Sequence, residues 1–198
     1  MADTNGSGRA IACQQVLAAD ASVFSIQWLV FPPDLVDRLT PGWLLDRYLR
    51  SVRRQTGSLI RPVVAETGVE FRLLGTGVSL ISFTPPRVHR DSPAGSVSLA
   101  ISGGFLVQRD QCERGELTFG CELVPSGLRV ALQLTDYCPL LLGSSSPARW
   151  RKYLYRYTQA AIHKLVTVRF LADCYRELVD PAACLQINRV AVRDGEHL

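Results

Sequence analysis

A chain of 198 residues with 47% hydrophobic and 20% charged residues has the make-up of one ordered globular domain and excludes disorder. At this size about 70% of the unfolded surface can be buried, so a core forms without disulfide or metal. A net charge of +4, with no basic stripe on the strands, argues against nucleic acid as a partner. The longest apolar stretches, such as Val23 to Phe31, are about half a bilayer span, and that one contains Gln27, so no transmembrane segment is expected.

Residues 1–20 are small and polar as far as Ile11 and read as a flexible N-terminal arm. They hold no basic region followed by an apolar one, so no secretory signal is expected and the location is read as cytoplasmic. Without export, Asn5-Gly6-Ser7 carries no weight as a glycosylation pattern. Val23 to Phe31 reads as a strand, with Phe24, Ile26, Trp28 and Val30 alternating onto one face. Pro32-Pro33 ends it, and a short helical turn follows through Asp34 to Leu39.

Thr40-Pro41 opens a helix, with the hydroxyl as N-cap and proline at the first helical position. The helix runs to about Gln55, buries Leu44, Leu45, Tyr48, Leu49 and Val52, and closes at Gly57. The period then changes to two. Val69, Phe71 and Leu73 form one strand, Gly75-Thr76-Gly77 a hairpin-sized break, and Val78 to Phe83 the next strand, stopped by Pro85-Pro86. Val97, Leu99, Ile101, Phe105 and Val107 alternate next, then Leu117, Phe119, Cys121 and Leu123, then Leu128, Val130, Leu132 and Leu134. Such repetition predicts an antiparallel sheet with one face in the core, and Gly103-Gly104 marks a bulge or bend.

Ser146-Pro147 opens the last long helix by the same cap-and-proline logic. Its apolar stripe is Trp150, Leu154, Tyr157, Ala161, Leu165, Val168 and Tyr175, with a second row at Ile162, Val166 and Phe170. Pro181 ends it, and Leu185 to Val192 reads as a short added strand or a tail. The expected organisation is an arm over 1–20, one domain over 21–180, and a tail over 181–198.

The expected class is therefore α+β: a curved antiparallel sheet of about six or seven strands packed around a long C-terminal helix. The order of one strand, two short helices, about six strands and one long helix resembles the helix-grip architecture of the START-like superfamily, which includes polyketide cyclases and lipid carriers. The resemblance covers roughly residues 21–180 and is one of pattern, without a shared motif. It implies an apolar cavity between sheet and last helix, for which Phe105, Phe119, Leu132, Tyr157 and Ala161 are the expected lining. The tail after Pro181 departs from that pattern. Fold alone names no ligand.

Candidate chemistry is sparse. The six cysteines form no CxxC pair and have no histidine at ligand spacing, so neither a metal nor another cofactor is expected. Reduced thiols fit better, with Cys121 and Cys174 acting as small hydrophobes. Twenty of the 22 basic residues are Arg, whose planar fork suits carboxylates and phosphates. Arg149, Lys152, Arg156 and His163 share a helical face, as do Arg47, Arg50 and Arg54. The cations at the start of the last helix oppose its dipole. These faces either are simply solvated or meet an anion on a partner.

Asp136 continues the inward series Leu128 to Leu134, so it either reaches the cavity lip as a general base or caps a turn before Pro139. His163 is either an acid–base group or a packed, hydrogen-bonded residue. His89 and His197 have no partner in sequence, and Gly75-Thr76-Gly77 opens no helix and is no phosphate loop. Trp150 and Tyr157 read as core, Tyr153 and Tyr155 as candidates for a cavity mouth or partner surface. Two functions follow. The first is a binding protein, or cofactor-free enzyme, for a small apolar molecule. The second is an adaptor docking an acidic protein or an anionic surface through its basic helix faces.

Overall fold

The three segments with the cleanest alternation form the centre of the sheet. The computed structural model describes residues 10–89, 95–108, 114–143 and 147–198, and within them β1 (Ala10–Leu17) and β2 (Val23–Phe31) precede a short 3-10 turn and helix α1 (Pro41–Gln55). The strands β3 (Ile60–Ala65), β4 (Gly68–Leu73), β5 (Ser79–Phe83), β6 (Arg87–His89), β7 (Ser96–Gly103), β8 (Glu116–Val124) and β9 (Gly127–Tyr137) follow. The last helix is α2 (Arg149–Tyr155), a π-helical turn (Arg156–Ala160) and α3 (Ala161–Leu178), and β10 (Gln186–Arg189) and β11 (Glu196–His197) end the chain.

The strand order is β10-β1-β2-β9-β8-β7-β5-β4-β3, with β11 on β1 and β6 on β7. All pairings are antiparallel except β1 with β10. The class is α+β as expected, but among the described residues the sheet has 11 strands rather than six or seven. Four went unread because they lack clean alternation. Ile60–Ala65 carries Pro62, which is tolerated because β3 is an edge strand. Arg87–His89 sits directly after the Pro-rich turn and is wholly exposed. Glu196–His197 is two residues long.

The fourth corrects the expected arm. Ala10–Leu17 is an almost wholly buried strand, paired with β2 on one side and with β10 and β11 from the C-terminal tail on the other. Burial on both faces erases the alternation that would have marked it.

The core face of β2 is also the reverse of the expected one. Val23, Ser25, Gln27, Leu29 and Phe31 are buried, while Ile26, Trp28 and Val30 are only half-buried. Polar Ser25 and Gln27 go inward because they find partners: Gln27 Nε2 donates to Ser25 Oγ at 2.8 Å and to Cys13 Sγ at 3.7 Å. Phe24 is covered on the opposite face by the Arg193 guanidinium, 5.5 Å from its ring.

Helix α1 follows its sequence closely. Thr40 Oγ1 accepts from the Trp43 amide at 3.3 Å, the five expected side chains are buried, and Gly57 takes the left-handed conformation (φ +59°) that ends the helix. Helix α1 lies against β3, β7 and β8, and α3 lies against β1, β2 and α1. Tyr48 of α1 is held between Phe119 of β8 and Phe170 of α3, with ring centroids 5.2 and 5.4 Å away. Cys121 and Cys174 are buried, as expected of small hydrophobes. Cys112 lies outside the described residues.

The last helix differs at its start. It begins at Arg149 with Ala148 at the cap and no side-chain cap bond; Ser146 lies outside the described residues. Of its expected rows in the second half, Val166, Phe170 and Tyr175 are buried, Val168 is half-buried, and Ile162 and Leu165 are exposed. In the first half Trp150, Leu154 and Tyr157 face solvent, whereas Tyr155 and Ala160 face the core. The π turn is the cause: its extra residue per turn breaks the 3.6 period between residues 155 and 160. Among the described residues no helix is long and apolar enough to cross a membrane.

Phe170→Ala removes the ring that joins α3 to Tyr48. It should destabilise the fold by about 3–5 kcal/mol, read as a fall in the chemical-denaturation midpoint with an unchanged slope.

Candidate functional site

Where α1, β3–β5 and β9 meet the last helix, the side chains leave a cavity of about 140 Å³. Its walls are mostly apolar, made by Val52, Ile60, Phe71, Ile81, Leu134 and Val166. Phe71 is fixed by its edge contact with Phe83, 5.3 Å between centroids. The polar lining is Tyr48, Tyr137, Tyr155, Gln159 and His163.

Each polar group is held neutral. Burial pushes the Tyr48 phenol up to about 12, opposed by the Thr167 hydroxyl. Burial likewise raises Tyr155 and Tyr137, and the Tyr137 hydroxyl donates to the Leu106 carbonyl at 2.9 Å. Burial also pushes the His163 imidazole down to about 4. Among the described residues no Asp, Glu, Lys or Arg lines the cavity, so a charged ligand would lose its hydration without gaining a counter-ion there.

Gln159 stands out. It sits in the π turn, and neither its Oε1 nor its Nε2, both buried, has a hydrogen-bond partner among the described residues. The neighbouring Ala160 carbonyl is satisfied from the sheet, by Gln15 Nε2 of β1 at 3.2 Å. The turn that breaks the helical period is thus tied to the first strand and turns an unpaired carboxamide toward the cavity. Nothing in the sequence reading singled out Gln159. The available signal was an amide amid the apolar positions of the last helix.

The expected lining residues are not brought together. Phe119 and Leu132 are fully buried in the solid core and do not line the cavity. Phe105 is 64% exposed, because Gly104 turns the chain at φ +120° against the Leu80 backbone. Leu106 lines the cavity in its place. Tyr157 and Ala161 point to solvent on the far side of the π turn.

The two acid–base candidates lie in different surroundings. His163 lines the cavity. Asp136 takes a left-handed conformation (φ +47°) at a bulge where Val23 pairs with Tyr137 but Ser25 with Leu134. The bulge puts Tyr137 into the core and sends the Asp136 carboxylate out to Arg193 Nη1 at 3.3 Å.

Of the basic faces, that of α1 is largely spent on internal ties. Arg47 pairs with Glu177, and Arg54 with Asp173 at 2.5 Å, joining α1 to α3, while Arg50 is exposed. Arg149, Lys152 and Arg156 do come together, around a surface recess that also holds Glu196, His197 and Leu198. Lys152 Nζ meets Glu196 at 2.5 Å. His163 is not part of that group. His89 Nε2 lies 2.9 Å from Ser98 Oγ, and Arg90 beside it lies outside the described residues.

No family model matches the chain, and no curated protein matches it. Among solved structures, an NMR structure of CalU16 from Micromonospora echinospora is similar over 69% of this chain and 64% of its own, at 17% identity and a TM-score of 0.31. A crystal structure of CalU16 is similar over 83% and 90%, at 14% identity and a TM-score of 0.30. The chain thus spans just under two thirds of the first of these. The likeness is weak and confined to the fold.

His163 makes stability depend on pH. The unfolded chain takes up its proton as the pH falls through about 6.5, whereas the folded chain resists until about 4. Unfolding therefore binds a proton in that window, and stability should drop by about 2–3 kcal/mol between pH 7 and pH 4. His163→Gln should flatten that part of the profile in urea unfolding.

Proposed function

We propose that this protein binds a small, neutral, mostly apolar molecule in the cavity between the sheet and the last helix, and that the ligand carries a donor and an acceptor side by side. The observation that carries this reading is the buried, unpartnered carboxamide of Gln159 in a cavity otherwise built of apolar walls and neutral phenols. A buried polar group left unsatisfied costs about 1–3 kcal/mol. A ligand that accepts from Nε2 and donates to Oε1 recovers that cost and is oriented by it. A 150 Å³ apolar cavity holds benzene, so 140 Å³ suits one ring with a polar edge, such as a lactam.

The alternative reading, docking of an acidic partner or anionic surface, draws its support from α2. There Arg149 and Arg156 form no ion pair among the described residues.

The cavity reading is tested with 2-pyridone as probe and benzene as its apolar counterpart. Saturable binding of 2-pyridone, with shifts of cavity methyl signals in NMR and clear preference over benzene, is the expected result. Gln159→Leu should remove that preference while raising the stability of the free protein by about 1–2 kcal/mol. Equal binding of the two probes, or a preference that survives Gln159→Leu, would overturn the reading.

A further inference from the structure

The first turns of the last helix turn large apolar side chains outward. Trp150, Tyr153, Leu154 and Tyr157 are 62%, 58%, 42% and 72% exposed. Their spacing of three, four and seven puts them on one side of a helix. Scattered exposed apolar residues are ordinary, but four large ones in a single patch mark a surface that meets something. The rings of Tyr153 and Tyr157 stack at 6.5 Å, only 10° from parallel, so they form a flat aromatic shelf.

Cations border this patch. Arg149 and Arg156 share a recess with Tyr153 along one edge, and at about 100° per residue within α2 Arg151 falls along the other, where its guanidinium lies 5.3 Å from the Trp150 ring. From Pro147 to Ala172 the sequence holds six basic residues and no acid. Of those six, Lys152 alone makes an ion pair among the described residues. The positive end of the helix dipole lies at the same place.

We propose that this face docks on the surface of an anionic lipid bilayer. A helix lying in a membrane interface presents this combination: aliphatic side chains to the acyl boundary, Trp and Tyr at headgroup level, and Arg at the lipid phosphates. A second copy of the chain is disfavoured, since a two-fold contact through this patch would set the same cations against themselves. An acidic protein would satisfy the cations but gives no reason for an aromatic shelf between them. The docking is independent of the cavity and holds whether or not the cavity binds a ligand.

The test is co-sedimentation of the full chain with vesicles of phosphatidylcholine alone and of equimolar phosphatidylcholine and phosphatidylserine, with Trp150 emission followed in parallel. Binding to the phosphatidylserine vesicles, weakened by salt and accompanied by a blue shift that Trp150→Phe removes, is expected. Arg149→Glu with Arg156→Glu should weaken it by more than about tenfold, and Trp150→Ser with Tyr157→Ser should abolish it. All four side chains are exposed, so thermal unfolding should be unchanged in each variant. The proposal is overturned if the wild-type chain ignores the phosphatidylserine vesicles or if either double variant binds them as well as wild type. Retention of polyglutamate without vesicles would assign the face to an acidic protein. A dimer lost in Trp150→Ser with Tyr157→Ser, again without vesicle binding, would assign it to a second copy.

Discussion

Tyr48 holds this fold together from the inside. Its ring contacts Phe119 from the sheet and Phe170 from the last helix edge-on, so one side chain joins all three layers, and such aromatic pairs add about 0.5–1.5 kcal/mol each beyond their buried area. Arg47 and Arg54 reinforce the same seam at its exposed rim through Glu177 and Asp173, a smaller contribution because solvent screens it. With α3 fixed here, the segment before it passes over the last turns of α1 and the sheet, and the space beneath, walled by Tyr48 and Val52, becomes the cavity. The same ring that packs on Phe170 also walls the opening beside it.

The polar groups buried around that opening carry opposite meanings. Gln15, Ser25 and Thr167 are buried and paired, so they specify how β1, β2 and the last helix fit. Among the described residues Gln27 and Gln55 each keep one amide oxygen without a partner, while Gln159 keeps both ends of its amide without one. A core under selection for stability alone would replace Gln159 by Leu. Its retention in a π turn, an element itself associated with functional sites, sets this residue apart from the structural polar groups.

Much of the architecture was legible in the chain. Helix α1 could be read from Thr40-Pro41 to Gly57 because cap, proline, apolar face and terminator agree, and β7 to β9 could be read because one face of each is wet. Where both faces are covered the signal failed: β1 has no alternation, and β2 has apolar residues on both sides, so Phe24 and Trp28 outweighed Gln27 as a guide. The candidate site was hardly legible. Its lining depends on a left-handed Asp136 that advances Tyr137, a turn at Gly104 that replaces Phe105 by Leu106, and a π turn that exchanges Tyr157 for Tyr155. Each is a one-residue phase shift, and the sequence pattern carries no mark of such a shift before the chain has folded.

The pairing of β1 with β10 and β11 bears on how the protein is made. Strand β1 takes its outer partners from residues 186–198, Gln14 binds the backbone of Val192 and Arg193, and the Leu198 amide donates to the Gln15 carbonyl at 3.1 Å. Contacts between segments so far apart in sequence are slow to form, since a long loop must be closed to make them. On the ribosome the central hairpins can assemble early, but the flank of the sheet stays open until residues 186–198 have emerged. During that interval β1 presents a bare strand edge to its surroundings, the stage at which a nascent chain of this kind is most prone to pair with the wrong neighbour.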